Sequence, residues 1–95
     1  MKWAVYMLRC RDGSFYTGST NNLIRRLALH QNGKGAKYTR SRLPATLAWY
    51  EETDGKSEAL RREAAVKRLS HAEKVSLMES CNLAALCDIL RQPLE

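Results

Sequence analysis

Disulfide chemistry is the first thing this chain is short of. Its three cysteines, Cys10, Cys81 and Cys87, form an odd set without a C-x-x-C pair, which speaks against both a disulfide framework and a zinc knuckle. They read as buried or idle thiols. Long apolar runs are missing too. The N-terminal run from Trp3 to Leu8 is stopped by Arg9, too soon for a signal-peptide core or a membrane span. A reducing cytoplasm is therefore the expected compartment, and a membrane is not an expected partner. No stretch reads as a linker, an internal repeat or a low-complexity tract. The 95 residues make one domain, 1–95, which buries only roughly 60–65% of the surface its unfolded form exposes. Acid is scarce in one half of the chain: residues 1–50 hold nine Lys or Arg against Asp12 alone, whereas residues 51–95 hold seven bases and nine acids. The halves thus carry +8 and −2 of the formal net charge of +6. A basic half interleaved with Tyr and Trp suits a polyanionic partner, nucleic acid above all, against the plainer reading of a soluble cationic surface.

What is present is organised by turn and cap signals. "WAVYMLR" is rich in aromatic and branched residues, Asp12-Gly13 follows, and a second aromatic run, "SFYTG", comes next. This is a hairpin signal with a two-residue turn. After Gly18, "STNN" offers N-cap candidates, "LIRRLALH" places Leu23 and Leu27 at i, i+4, and Asn32-Gly33 supplies a stop, which predicts a first helix. "GKGAKYTRSRLP" reads as a basic loop with Lys34, Lys37, Arg40 and Arg42. "ATLAWYEE" alternates as a third strand closed by Asp54-Gly55, and Ser57 is the N-cap candidate for a helix to about residue 69. "SHAE" at 70–73 is a capping box that restarts the chain as a helix. "LAALCDIL" sets Leu83, Leu86 and Leu90 on one helical stripe closed by Pro93.

Several polar residues sit where two readings compete. At 100° per residue, Arg26 and His30 stand side by side at the edge of the Leu23/Leu27 stripe, bordering the sheet. Taken singly they are a half-buried packing histidine and an arginine covering apolar surface with its stem. Glu63 falls inside an apolar arc of Ala59, Leu60, Ala64 and Val66, where a carboxylate needs compensation. Either Lys67, four residues on, provides it, worth about 0.2–0.5 kcal/mol on an open helix, or a bound divalent cation does. Tyr6 and Tyr16 on adjacent strands are cross-strand or diagonal neighbours, either an aromatic core pair or two phenols whose hydroxyls need partners. Gly18 either ends a strand or lets a phosphate approach. The four cations of the basic loop are either solvated or track phosphates, and Tyr38 among them either stacks on a base or pins the loop.

Taken together, "AVY" at 4–6 and "YTG" at 16–18, followed by Arg26, His30 and a helical Glu63, resemble the GIY-YIG nuclease superfamily over roughly residues 3–70. With "GKGAKYT" and "EALRREAAVKRLS" the whole chain looks like that superfamily's small, stand-alone bacterial branch. The resemblance implies an α+β fold: a three-stranded antiparallel sheet flanked by helices, β-β-α-β-α over a core of about 3–70, with a C-terminal helical extension over about 71–92. It also implies one metal-dependent site that cleaves phosphodiesters. Carried over by position, Tyr6 and Tyr16 match the motif tyrosines, Gly18 the motif glycine, Arg26 the helix-one arginine and Glu63 the metal-binding glutamate, while His30 matches a histidine found in some members. Ala4 and Val5 stand where the motif has Gly and Ile, and Thr17 where it has Ile. Catalytic members usually carry an asparagine downstream of the glutamate; the next one here is Asn82.

Hydrolysis of a phosphodiester requires a deprotonated water, dispersal of charge on the phosphoryl oxygens and help for the departing oxygen. The resemblance assigns these to one of the tyrosines, to Arg26 and to a divalent metal on Glu63, Mg²⁺ with Mn²⁺ as the alternative. The expected activity is nucleic-acid cleavage, of DNA in the first instance, with weak sequence specificity or structure selectivity and a partner protein supplying direction. Two rivals stand beside it. One is a nucleic-acid-binding module with little hydrolytic power; the other is a protein-interaction domain docking through the Leu83, Leu86 and Leu90 stripe.

Overall fold

A computed structural model describes residues 2–80. The expected helix with Leu83, Leu86 and Leu90 lies outside the described residues, as do Cys81, Asn82 and Cys87. The chain runs β1 (Trp3–Arg9), β2 (Phe15–Thr20), α1 (Leu23–Gln31), α2 (Lys37–Arg40), β3 (Thr46–Thr53), α3 (Lys56–Lys67) and α4 (His71–Glu79). Both strand pairings are antiparallel and the sheet order is β2-β1-β3, the α+β architecture expected. No helix among the described residues is long and apolar enough to cross a membrane.

The hairpin forms, but with a three-residue loop instead of two. Cys10 N–H donates to Ser14 O at 2.8 Å and Gly13 N–H to Cys10 O at 2.9 Å, with Gly13 at φ +84°. Such a loop ends on a left-handed residue, which glycine adopts without steric cost. The resulting register pairs Leu8 with Tyr16 and Tyr6 with Gly18, so Tyr16 is the diagonal neighbour of Tyr6.

Side-chain alternation then divides the sheet. Tyr6, Leu8 and Tyr16 pack with Leu23 and Leu27 of α1, whereas Val5, Met7 and Phe15 pack with Ala59 and Val66 of α3 and Leu77 of α4. β3 follows the same division except at a bulge: Met7 pairs with Trp49 and Leu8 with Leu47, which leaves Ala48 as an extra residue beside Trp49 on the α3 side. β2 is an outer strand, with one edge left free of strand pairing.

The helices start and stop by local rules. Asn22 caps α1, its side chain accepting from Arg25 N–H at 3.1 Å. At the other end Gly33 N–H donates to His30 O at 3.1 Å and Lys34 N–H to Leu29 O at 2.8 Å, with Gly33 at φ +74°. This paired pattern is a Schellman termination. The segment that follows is not simply a loop: Lys37–Arg40 make a helical turn whose Thr39 is buried. α3 begins earlier than Ser57 suggests, with Gly55 as N-cap and first-turn Glu58 reaching back to Asp54 N–H at 3.4 Å. Its buried stripe is also narrower than the arc predicted. Ala59 and Val66 are buried, but Leu60 is 48% exposed and Ala64 lies outside. Glu63 sits between the two buried residues. α4 carries the expected capping box, Glu73 N–H to Ser70 Oγ at 3.1 Å and Ser70 N–H to Glu73 Oε1 at 2.9 Å.

Candidate active site

Tyr6 is at the centre of the polar residues singled out above. It is 2% exposed, and the strand pairing places its ring over Gly18. A Cβ at Gly18 would lie 2.7 Å from the Tyr6 hydroxyl, so the missing side chain makes room for a phenol. The Tyr6 hydroxyl lies 3.0 Å from His30 Nε2, and His30 Nδ1 lies 2.8 Å from Thr39 Oγ1. Thr39 Oγ1 in turn donates to Ala36 O at 2.9 Å. These contacts fix the protons. Because the threonine proton is committed to a carbonyl, Nδ1–H donates to Thr39 and Nε2 presents its lone pair to the Tyr6 O–H.

The surroundings support that assignment. Burial and the charge of Arg26 both lower the His30 pKa, which keeps the ring neutral. Burial also raises the Tyr6 pKa, as do Tyr16 and the Glu63 carboxylate, while Arg26 pulls it down. Tyr6 therefore feels the charges of Arg26 and Glu63 although these come from helices on opposite faces of the sheet. Tyr16 is half-buried, its ring centroid 6.3 Å from that of Tyr6 and 5.4 Å from that of His30. Arg26 is exposed, with no carboxylate partner among the described residues.

Glu63 approaches from the α3 side. Ser19 Oγ donates to its Oε1 at 2.6 Å and the Lys67 ammonium lies 2.7 Å from its Oε2. Burial pushes the Glu63 pKa up, but the bonds from Lys67 and Ser19 outweigh this and hold it below the ordinary carboxylate value. Among the described residues no three His, Cys, Asp or Glu gather as metal ligands. One ionised carboxylate beside a position that already attracts a cation fits a hard ion completed by water and substrate oxygens, as Mg²⁺ prefers.

Sequence reasoning missed Thr39, Gly35 and Ser19. A Cβ at Gly35 would collide with the His30 imidazole, so Gly35 and Thr39 together seat the ring. The run "GKGAKYT" held that signal, yet only the turn after α1 brings it back onto His30. Among the basic residues of this segment, Lys34, Lys37 and Arg40 are exposed, whereas Arg42 is committed locally. It pairs with Asp12 at 3.0 Å and lies 3.9 Å over the Tyr38 ring. Tyr38 also stacks beside Tyr16, with centroids 6.3 Å apart.

Comparison with known proteins agrees with this fold. The family model described as the GIY-YIG catalytic domain matches residues 2–76. A UPF0213 protein of Halobacterium salinarum is 53% identical over 73 residues, 77% of this chain and 95% of its own length. Another, from Oceanobacillus iheyensis, is 52% identical over 75 residues, 79% and 87% of the respective chains. The solution NMR structure of a UPF0213 protein from Bacillus halodurans shares the fold with a TM-score of 0.58 and 40% identity, covering 98% of this chain and 100% of that one. The group reaches archaea as well as the bacteria expected. Family model, relatives and fold coincide, and the chain belongs to the GIY-YIG family, a nuclease-type family, within its small UPF0213 group.

Proposed function

We propose that the chain is a metal-dependent nuclease hydrolysing phosphodiester bonds in nucleic acid, DNA in the first instance, with weak sequence specificity or structure selectivity. The observation that carries this reading is the hydrogen-bond chain from Tyr6 through His30 to Thr39. A phenol whose pKa has been raised by burial is a poor source of phenolate. Its proton, however, already points at a neutral imidazole nitrogen. A water held against the tyrosine pair gives its proton to Tyr6 Oη while the Tyr6 proton passes to His30 Nε2. The products are hydroxide aimed at phosphorus, a neutral tyrosine and an imidazolium whose Nδ1–H stays on Thr39. The effective base is thus a histidine, whose pKa suits neutral pH better than a tyrosine's.

The remaining residues divide the other tasks. Tyr16, half-buried beside Tyr6, orients the water. Arg26, which has no carboxylate partner among the described residues, has a planar fork that suits the phosphoryl oxygens. Glu63 would hold Mg²⁺ or Mn²⁺ once Lys67 withdraws, and the bound ion would supply Lewis acidity and neutralise the leaving oxygen. Lys34, Lys37 and Arg40 track the backbone away from the cut.

The test uses labelled single-stranded, double-stranded and branched DNA, and RNA, each with Mg²⁺, Mn²⁺ or EDTA, beside Glu63→Gln. Metal-dependent cleavage that disappears in the variant, while binding persists, is expected. Salt-sensitive binding without cleavage of any substrate would select the binding-module reading instead.

A further inference from the structure

The free edge of β2 carries a feature that the hydrolytic chain does not use. Among the described residues, Thr17 Oγ1 is the buried side-chain polar atom left without a partner, in a residue only 4% exposed. A buried hydroxyl without a partner destabilises a fold, and valine would fill nearly the same space without that cost. Thr17 lines a cleft of about 240 Å³ whose other walls are Phe15, Tyr16, Tyr38, Lys67 and Lys74. The cleft is lined by one buried residue, by aromatic rings and by two lysines. Thr17 is the most buried of the six, the rings are intermediate or just exposed, and Lys67 is exposed. It is also continuous with the proposed site, because Tyr16 belongs to both and the Lys67 ammonium at its rim contacts Glu63 at 2.7 Å.

We infer that this cleft is a subsite for one unpaired nucleotide adjoining the phosphate to be cut, inserted base first. The inference rests on the nuclease reading and deepens it, since it makes single-stranded character at the cut a requirement. The base lies against the rims of Phe15 and Tyr38, the latter held rigid by Arg42 and Tyr16. Thr17 Oγ1, which is closed to solvent, turns toward the cleft to take the base's hydrogen-bonding edge as the partner it lacks, and Lys67 and Lys74 meet the flanking phosphate. A base in a duplex offers neither a free edge nor a path to the cleft floor.

The full chain is titrated in EDTA, which prevents cleavage, with a fluorescein-labelled oligothymidine and with a blunt duplex of the same length. Wild type is compared with Thr17→Val and Lys74→Ala, neither of which lies in the hydrolytic machinery. Each substitution is expected to weaken single-strand binding about fivefold and to change duplex binding less than twofold, while Thr17→Val raises Tm. Variants that bind the single strand as wild type does, or that lose both ligands equally, overturn the subsite. If wild type cuts nucleic acid and the variants still bind normally, only the subsite falls. If wild type neither binds nor cuts any nucleic acid, the nuclease reading falls with it. Should Thr17→Val fail to fold, Lys74→Ala decides alone.

Discussion

His30 is a buried imidazole with both nitrogens engaged, and its protonation state links stability to chemistry. Burial and Arg26 lower its pKa from 6.5, so below about pH 6.5 the unfolded chain binds a proton that the folded chain resists. The stability contributed is complete above that value and is lost as pH falls through the window beneath it. Glu63, held below 4.5, acts with the same sign at lower pH, so acid weakens the fold in two successive stages. On the proposed mechanism the same imidazole would set an acid limb in the rate profile, because protonated Nε2 cannot accept from Tyr6. Thr39→Val removes the acceptor of Nδ1–H and leaves a buried donor unpaired, a cost of about 1–3 kcal/mol. The expected result is a lower Tm, a reduced kcat and a shifted acid limb, with Thr39→Ser restoring most of each. A Thr39→Val enzyme with an unchanged pH profile would show that Thr39 only fills space.

At the scale of elements, the end of α1 decides whether the site assembles. The Schellman turn at Gly33 reverses the chain so that Gly35 and Thr39 reach a histidine five and nine residues behind them. Gly33→Ala would force a Cβ into φ +74°, at a cost of about 1 kcal/mol. A Tm loss of that order is expected, together with a fall in kcat larger than the stability change explains, measured where the variant is still fully folded. Proportionate losses would mean that the turn closes the helix without aligning the site. The elements themselves were legible because their signals are local: Asp12-Gly13 near a hairpin, Asn22 before a helix, Asn32-Gly33 after it, Ser70 and Glu73 in a capping box. For the candidate site, the motif positions of Tyr6, Tyr16, Arg26, His30 and Glu63 were legible as positions, and the structure adds the contacts around them. Gly35 and Thr39 escaped because only the turn after α1 returns them to His30, and the other misses depended on separation in sequence. Ser19 meets Glu63 across 44 positions and Arg42 meets Asp12 across 30, contacts that no period or spacing encodes. The same limit explains the bulge at Ala48 and the exposure of Leu60, which the packing of α3 against the sheet determines.

For the molecule as a whole, charge separation makes a quantitative demand. The excess positive charge lies in residues 1–50, and Arg42, held by Asp12, is not available to the extent that exposed Lys37 and Arg40 are. Each phosphate neutralised by a lysine or arginine releases condensed counterions, giving a slope of log K against log salt of about −0.7 per contact on single strands and about −0.9 on duplex DNA. Lys37→Ala combined with Arg40→Ala should therefore lower affinity and reduce the magnitude of that slope by about 1.4 on a single-stranded ligand, with Tm unchanged because both side chains are exposed. Arg42→Ala should do the reverse: a small change in slope, and a lower Tm from the lost support of Tyr38. Anisotropy titrations between about 50 and 200 mM salt separate the two patterns. A double variant with weaker binding but an unaltered slope would assign Lys37 and Arg40 to shaping the segment around Thr39 instead of to contact with phosphate, and the polyanion would then have to be held elsewhere on the basic half.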